Sequence, residues 1–428
     1  MANYKWHITN MIISERISQI SASPTLAMAA KAAELKAAGE NVLSMSLGEP
    51  DFPTPAFVKQ AVKDAVDADL SHYGPVPGMP ALRAAAAKYM SSFVADKGGE
   101  DVFSADDIIV SVGAKQAICN AIETLVGKGD EVILPTPCWV SYTEMVKLAE
   151  GVPVMVRTTY DNDFILTPEA LEAAITPRTR LLILCTPNNP TGAVYSAEEI
   201  DALARVLLRH PNIAVIADEI YNKICYAGAC ASWVDQKQLL DRMVVVNGVS
   251  KAFAMTGYRI GWLACKNRDF IKACTRLQGQ QITCATMVAQ YAACKALDGD
   301  LTCLDEMVQA FERRRDLIVS LAKDIPGWKV RSPKGAFYLF PDVTGLFGKH
   351  APADSRYAHR TAANPQTPAT LIRNADDLCE YLLTDGLVAC VSGSAFGEPT
   401  CLRISYACSE QQITEAMRRI RAAIERLK

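Results

Sequence analysis

Histidine is scarce in this chain, five among 428 residues, and no two cysteines are spaced C-x-x-C. The fourteen cysteines are scattered, with Cys225 and Cys230 the closest pair in the middle of the chain. Metal-ligand spacing is therefore missing, which removes the basis for a metal hydrolase and predicts no metal site. Thiols so distributed read as reduced and buried in a cytoplasmic protein. Charge of one sign is missing as well. Lys and Arg number 44 against 47 Asp and Glu, a formal net charge of -3, so there is no electrostatic reason to expect nucleic acid or an anionic membrane as partner. No apolar run approaches the length of a membrane span. The first twenty residues lack a basic stretch followed by an unbroken apolar core, so no signal peptide is expected, and they are too poor in Arg and Ser for a transit peptide. A G-x-S-x-G nucleophile elbow is absent, and so is a G-x-G-x-x-G turn after an early strand. There is no internal repeat and no low-complexity tract.

What is present is an ordinary globular composition, half hydrophobic and 21% charged. The length calls for two unequal domains, or one large α/β domain with an appendage. Short apolar runs at 107–112, 131–137, 152–156, 180–185, 213–217, 243–246 and 260–264 predict strands. Amphipathic stretches at 25–38, 57–68, 81–94, 116–126, 168–175 and 197–209 predict helices. Apolar strands without polar alternation, separated by helices, predict an α/β fold whose mainly parallel sheet is covered by helices on both faces. Residues 270–323 read as largely helical, with Arg313-Arg314-Arg315 a solvated face. Beyond Pro326-Gly327 the chain reads as a smaller α+β unit ending in helices near 376–384 and 410–426. Residues 345–368, polar and holding three prolines, read as a surface insertion with room to move. The expected division is 1–50 as an N-terminal arm and part of the small domain, 51–325 as a large cofactor-binding domain, and 326–428 as the small C-terminal domain.

In sheets of this kind ligands lie beyond the carboxyl ends of the strands. Gly113, Asn189, Asp218 and Lys251 each follow a predicted strand. Lys251 stands in Val244–Gly261, a strand broken by the turn dipeptide Asn247-Gly248 and followed by a lysine among small and apolar residues. Desolvation lowers a lysine's pKa and yields the neutral amine that attacks carbonyls; an ordinary solvated loop lysine is the competing reading. Gly113-Ala114-Lys115 lies between a strand and a helix, where free backbone N–H groups suit a phosphate. Trp139 marks the end of another strand and reads locally as a core aromatic. Gly48, in a Pro- and Gly-rich loop, reads either as a plain turn or as a place where a ligand approaches main chain. An anion cradle, a carboxylate, an indole, an Asn, a Tyr and a lysine at one sheet edge suit a flat cofactor with a phosphate, a ring nitrogen and an aldehyde, which is pyridoxal phosphate.

GEPDF, HYGPVPGMPALR, SVGAKQA, CWVSY, TPNNPTGAVY, ADEIY, SKAFAMTGYRIGW, GAFY, AFG and LRISYA stand in this order from about Ser14 onward. In these motifs the chain resembles the fold-type I pyridoxal-phosphate aminotransferases of the aspartate aminotransferase family, in the bacterial-type branch of class I. The resemblance implies roles residue by residue. Lys251 would form the Schiff base and move the substrate proton, Asp218 would partner the ring nitrogen, and Tyr221 and Asn189 would bond the phenolic oxygen. Trp139 would stack on the ring. Gly113, Ala114, Lys115, Ser250 and Arg259 would hold the phosphate, and Tyr73 would reach the phosphate of a neighbouring subunit, implying a homodimer with shared active sites. Arg403 would take the α-carboxylate bidentately, helped by Gly48 and Asn189; read alone it is an ordinary paired arginine. Two departures bear on the substrate. Ser392-Gly393 stands where the family often has Pro-Gly, and Gln280 to Ala285 replaces the branch's usual Q-S-T-T-S-P without an arginine for a distal carboxylate. The expected reaction is ping-pong transfer from an amino acid, aspartate first, to 2-oxoglutarate. Aromatic amino acids or prephenate are the alternatives, followed by an aminocyclopropane-carboxylate-synthase-like lyase.

Overall fold

The computed structural model describes residues 13–94, 101–226, 228–361 and 370–428, with the side chains of 359–361 outside that description. The first strand, β1 (Leu43–Ser44), lies outside the main sheet. The next seven build it: β2 (Ile108–Val112), β3 (Glu131–Thr136), β4 (Val152–Arg157), β5 (Thr179–Cys185), β6 (Ala214–Asp218), β7 (Met243–Gly248) and β8 (Ile260–Ala264). Their order is β2-β8-β7-β6-β5-β3-β4. All pairings are parallel except those of β8, which runs antiparallel to β2 and β7. The fold is thus the expected α/β architecture. Successive residues of one strand enter opposite cores: Ile183, Ile216 and Val244 pack on one face, Leu182, Val215 and Val245 on the other. With both faces covered by helices, neither set of side chains can be polar, which is why these strands read as unbroken apolar runs.

Four shorter strands complete the chain: β9 (Tyr338–Leu339), β10 (Val388–Ala389), β11 (Val391–Ser392) and β12 (Leu402–Ser405). β1 pairs parallel with β10, so a strand near the start of the chain is bound to one near its end. β11, β12 and β9 form an antiparallel sheet in which Ser405 faces Tyr338 and Arg403 faces Val391.

Three expectations are corrected. Asn247-Gly248 does not break its strand, since β7 runs through both and pairs with Trp262 and Gly261. Asn247 satisfies itself there: its Nδ2 donates to the Glu219 carbonyl at 2.9 Å and its Oδ1 accepts from the Gly248 amide at 2.7 Å. The run Arg313-Arg314-Arg315 is not a uniformly solvated face. Arg314 is buried and paired with Asp51, and Arg315 bonds Glu312, Asp316 and the Pro333 carbonyl. Residues 345–368 are not a loose excursion over their described part. Ala351, Ser355 and Tyr357 are buried, and Tyr357 meets Tyr381 edge-on at 6.0 Å; residues 362–369 lie outside the described residues. Of the arm at 1–23, residues 1–12 also lie outside them. The remainder carries a short helix, Glu15–Ser18, and the Ser21 amide donates to Glu144 at 2.8 Å.

Candidate active site

A cavity of about 410 Å³ opens at the carboxyl edge of the parallel strands. β6 ends on Asp218, β7 ends two residues before Ser250 and Lys251, and β5 ends on Cys185, four residues before Asn189. The register sets Cys185, Asp218 and Val246 side by side. Because β8 is antiparallel, its beginning falls at this same edge, and that is where Arg259 sits. Of the thirteen residues singled out in the sequence, all but Gly113 and Tyr73 line the cavity. Gly113 lies just behind it. Its φ of 77° is a left-handed value, and a Cβ there would strike the Arg259 guanidinium. The turn and the arginine thus form one close-set cradle at the start of the helix Gly113–Leu125. Tyr73 is 91% exposed and does not line its own chain's cavity.

Lys251 donates from Nζ to the Gly48 carbonyl at 2.6 Å and lies 5.8 Å from the centre of the Tyr221 ring. Burial pushes its pKa down to about 8, Glu49 acting against that shift and Arg403 and Arg259 with it. Asp218 is buried, and burial raises its pKa to about 6. Two bonds oppose the rise, from the Tyr142 hydroxyl at 2.6 Å and the Ile220 amide at 3.2 Å. Tyr221 shares a 2.8 Å hydroxyl–hydroxyl bond with Tyr338. Trp139 lies edge-on to Tyr142 and takes the Lys115 ammonium over its face at 4.9 Å. Burial, then Arg259, lowers the Lys115 pKa.

Arg403 is buried at the far wall. It donates from Nη1 to Asn189 Oδ1 at 3.1 Å and from Nη2 to the Ser46 carbonyl, and its Nε is buried with no hydrogen-bond partner among the described residues. Tyr338 and Phe396 lie against the guanidinium, each 4.8 Å from it. Gly48 is required here for space, since a Cβ on it would run into the Tyr338 hydroxyl. Across the lining, Lys115, Lys251, Arg259 and Arg403 face only Glu49 and Asp218, an excess of positive charge suited to a ligand with more than one anionic group.

Sequence reasoning missed Tyr142, Tyr338 and the Ser46 carbonyl. The first two stand inside the CWVSY and GAFY motifs, so the signal was available, but nothing in the local pattern distinguishes them from core tyrosines. Ser46 contributes only backbone and leaves no trace in its side chain. Among the described residues no group of three or more His, Cys, Asp or Glu is placed to hold a metal ion, and no helix is long and apolar enough to cross a membrane.

A family model described as aminotransferase class I and II matches residues 40–420. An aspartate aminotransferase of Rhizobium meliloti (strain 1021) is 42% identical over 416 residues, 97% of this chain and 96% of the relative. A bifunctional aspartate aminotransferase and glutamate/aspartate-prephenate aminotransferase of Petunia hybrida is 39% identical, over 97% of this chain and 83% of the relative. Among solved structures, an aspartate aminotransferase from Rhizobium meliloti superposes with a TM-score of 0.90 at 41% identity, over 98% of this chain and 100% of the other. The Thermus thermophilus aspartate aminotransferase with maleate gives 0.86 at 34% identity, over 96% and 100%.

Proposed function

The chain belongs to the class I and II aminotransferases, and from that premise we propose that it moves the α-amino group of aspartate to 2-oxoglutarate in a ping-pong cycle. The enzyme is pyridoxal-phosphate-dependent. The observation that carries the reading is the meeting in one cavity of a desolvated lysine, a buried carboxylate and a buried arginine with one free N–H. The cofactor supplies a carbonyl for an amine to take and a ring that accepts electrons from the attached carbon.

The chain's own groups then divide the work. Burial lowers the Lys251 pKa to about 8, which raises the share of neutral amine near neutral pH well above that of an ordinary lysine, and Lys251 moves the proton at the substrate's α-carbon. Asp218, whose ionised form accepts a bond from Tyr142, would keep the proton on the ring nitrogen. Tyr221 and Asn189 would donate to the ring's phenolic oxygen, and Trp139 would lie against the ring. Gly113, Ala114, Lys115, Ser250 and Arg259 would hold the phosphate. Arg403 takes the α-carboxylate through its fork, with the Gly48 backbone and Asn189 beside it. Tyr73, exposed and not part of its own cavity's lining, would serve the phosphate end of a neighbouring copy, which makes the active species a homodimer. All fourteen cysteines are free thiols, which fits a reducing cytoplasm. The proposed division is 1–50, 51–325 and 326–428. The parallel pair β1–β10 supports grouping the first segment with the last.

Aspartate is favoured because the relatives carry that name and one was solved with maleate, a four-carbon dicarboxylate. An aromatic or prephenate substrate is the second reading. It is supported by the Petunia relative's name and by exposed Leu26 and Leu47 at the cavity. A panel of amino donors with 2-oxoglutarate tests the choice. Aspartate is expected to give the highest kcat/KM, with oxaloacetate and glutamate as products. A higher value for tyrosine or phenylalanine, or transfer to prephenate exceeding transfer to oxaloacetate, would replace aspartate with the second reading.

A further inference from the structure

Arg314 lies in the helix Thr302–Lys323, flanked by two arginines, yet it alone of the three is buried. Its fork donates to both oxygens of Asp51, at 2.7 and 3.0 Å, across 263 positions of sequence. Its guanidinium lies 4.8 Å from the Phe52 ring and 5.6 Å from Phe311. Phe311 stacks on Phe337 at 5.1 Å, and the Lys251 ammonium lies 6.0 Å from the Phe337 ring. The ion pair is therefore linked to Lys251 through two packed rings, Phe311 and Phe337.

The segment it anchors is short and carries four contacts. From Ser46 to Asp51 the backbone presents the Ser46 carbonyl to Arg403 and the Gly48 carbonyl to Lys251, while Glu49 accepts from the Thr256 hydroxyl and Asp51 takes Arg314. Upstream, the segment is fixed where Met45 pairs with Ala389 and Ser405. Downstream, Thr54 donates to the Ala254 carbonyl at 2.9 Å. Of the four contacts, the Asp51–Arg314 pair alone is bidentate and carries opposite charges on both partners, a geometry stronger than a single bond with one charged member.

We propose that Asp51 and Arg314 are a positioning pair: they hold the Ser46–Asp51 segment so that its two carbonyls aim Arg403 and Lys251 into the cavity. Neither residue touches the substrate. The inference rests on the reading of Arg403 as the α-carboxylate fork. An arginine whose Nη2 has lost its carbonyl partner adopts more rotamers, so a carboxylate must then bear the cost of ordering it.

The test is equilibrium binding of two simple carboxylates, maleate and 3-phenylpropionate, to the holoenzyme by calorimetry, so that turnover is not the readout. In Asp51→Asn and in Arg314→Met, the dissociation constant of whichever probe the unmodified enzyme binds is expected to rise about tenfold, the worth of one charged hydrogen bond. The double variant should be no weaker than either single one, because the pair acts as a unit. Arg313→Gln, at an exposed position, should leave binding unchanged. The KM for the amino donor should rise with the dissociation constant while kcat falls less, a split that a mere loss of folded protein would not produce. Should Asp51→Asn fail to fold, Arg314→Lys, which keeps the charge and loses the fork, takes its place with a smaller rise. Unchanged binding in a folded variant overturns the proposal and assigns the anchoring to Glu49 and Thr54. Binding of neither probe to the unmodified enzyme, or a dissociation constant unaffected by Arg403→Ala, overturns the reading of Arg403, and the positioning proposal falls with it.

Discussion

The cavity has two kinds of wall. One is the carboxyl edge of the seven-stranded sheet, which supplies Asp218, Asn189, Lys251 and the turn at Gly113 from successive strand ends. The other is assembled from the two small sheets and the segment after β1, which supply Arg403, Tyr338 and the carbonyls of Ser46 and Gly48. The first wall is one cooperative slab with apolar packing on both faces. The second is built of segments far apart in sequence, which share one apolar core through Met45, Tyr338, Leu402 and Ile404 but meet at the cavity through individual hydrogen bonds and ion pairs. The sheet edge is accordingly suited to holding a cofactor in fixed geometry, and the joined wall to meeting a substrate that comes and goes.

That contrast can be broken most directly at Lys251. Lys251→Ala is expected to lower kcat by ~10⁴-fold or more, since it removes both the attacking amine and the general base. It should also replace the absorption band of the lysine-linked cofactor by that of the free aldehyde, read by spectrophotometric titration. An enzyme that keeps its turnover would show that the sheet edge does not carry the chemistry. Next in size is Arg403→Lys on the opposite wall. A lysine keeps the charge but not the fork, so KM for the amino donor should rise about 10- to 100-fold, the loss of one or two charged hydrogen bonds, with a smaller change in kcat. Steady-state kinetics decide this, and a dominant fall in kcat would erase the division between the walls.

The smallest effect expected is at Tyr142. Its hydroxyl opposes the rise of the Asp218 pKa towards about 6. In Tyr142→Phe that bond is gone, so the carboxyl holds its proton to higher pH by about half to one unit, the worth of a single hydrogen bond. Below its pKa the protonated acid no longer pairs with a protonated ring nitrogen. Cofactor affinity measured against pH should therefore weaken from the acid side at a higher pH than in the unmodified protein. An unmoved midpoint would mean that the Ile220 amide alone keeps Asp218 ionised.

The two walls also differ in how far they can be read from sequence. Asp218 and Lys251 announce themselves because an unbroken apolar run stops and a polar residue follows, a pattern imposed by a sheet buried on both faces. The alternation of strands and helices gave the fold on the same grounds. Arg403 could be assigned only through family resemblance, since a mid-strand arginine has many ordinary uses. Tyr338 and Ser46 went unseen because their value comes from pairings across the fold, Tyr338 with Tyr221 and the Ser46 carbonyl with Arg403. The misreading at Asn247-Gly248 has a different origin. Turn propensity is local, and here β8 pairing and the Asn247 side-chain bonds outweigh it. Arg314 was misread because charge clustering in sequence says nothing of which member of the cluster points inward.

The bond between Arg403 and the Ser46 carbonyl spans 357 positions. A ribosome adding roughly 5–20 residues per second takes about 20–70 s to cover that distance. The last strand of the large sheet ends at Ala264, so all seven of its strands are made roughly 7–28 s before Arg403, while the segment at Ser46 still lacks its partner strand and its arginine. The strands of the cofactor wall are thus all synthesised before the arginine of the substrate wall, which is the last of the named site residues to be made.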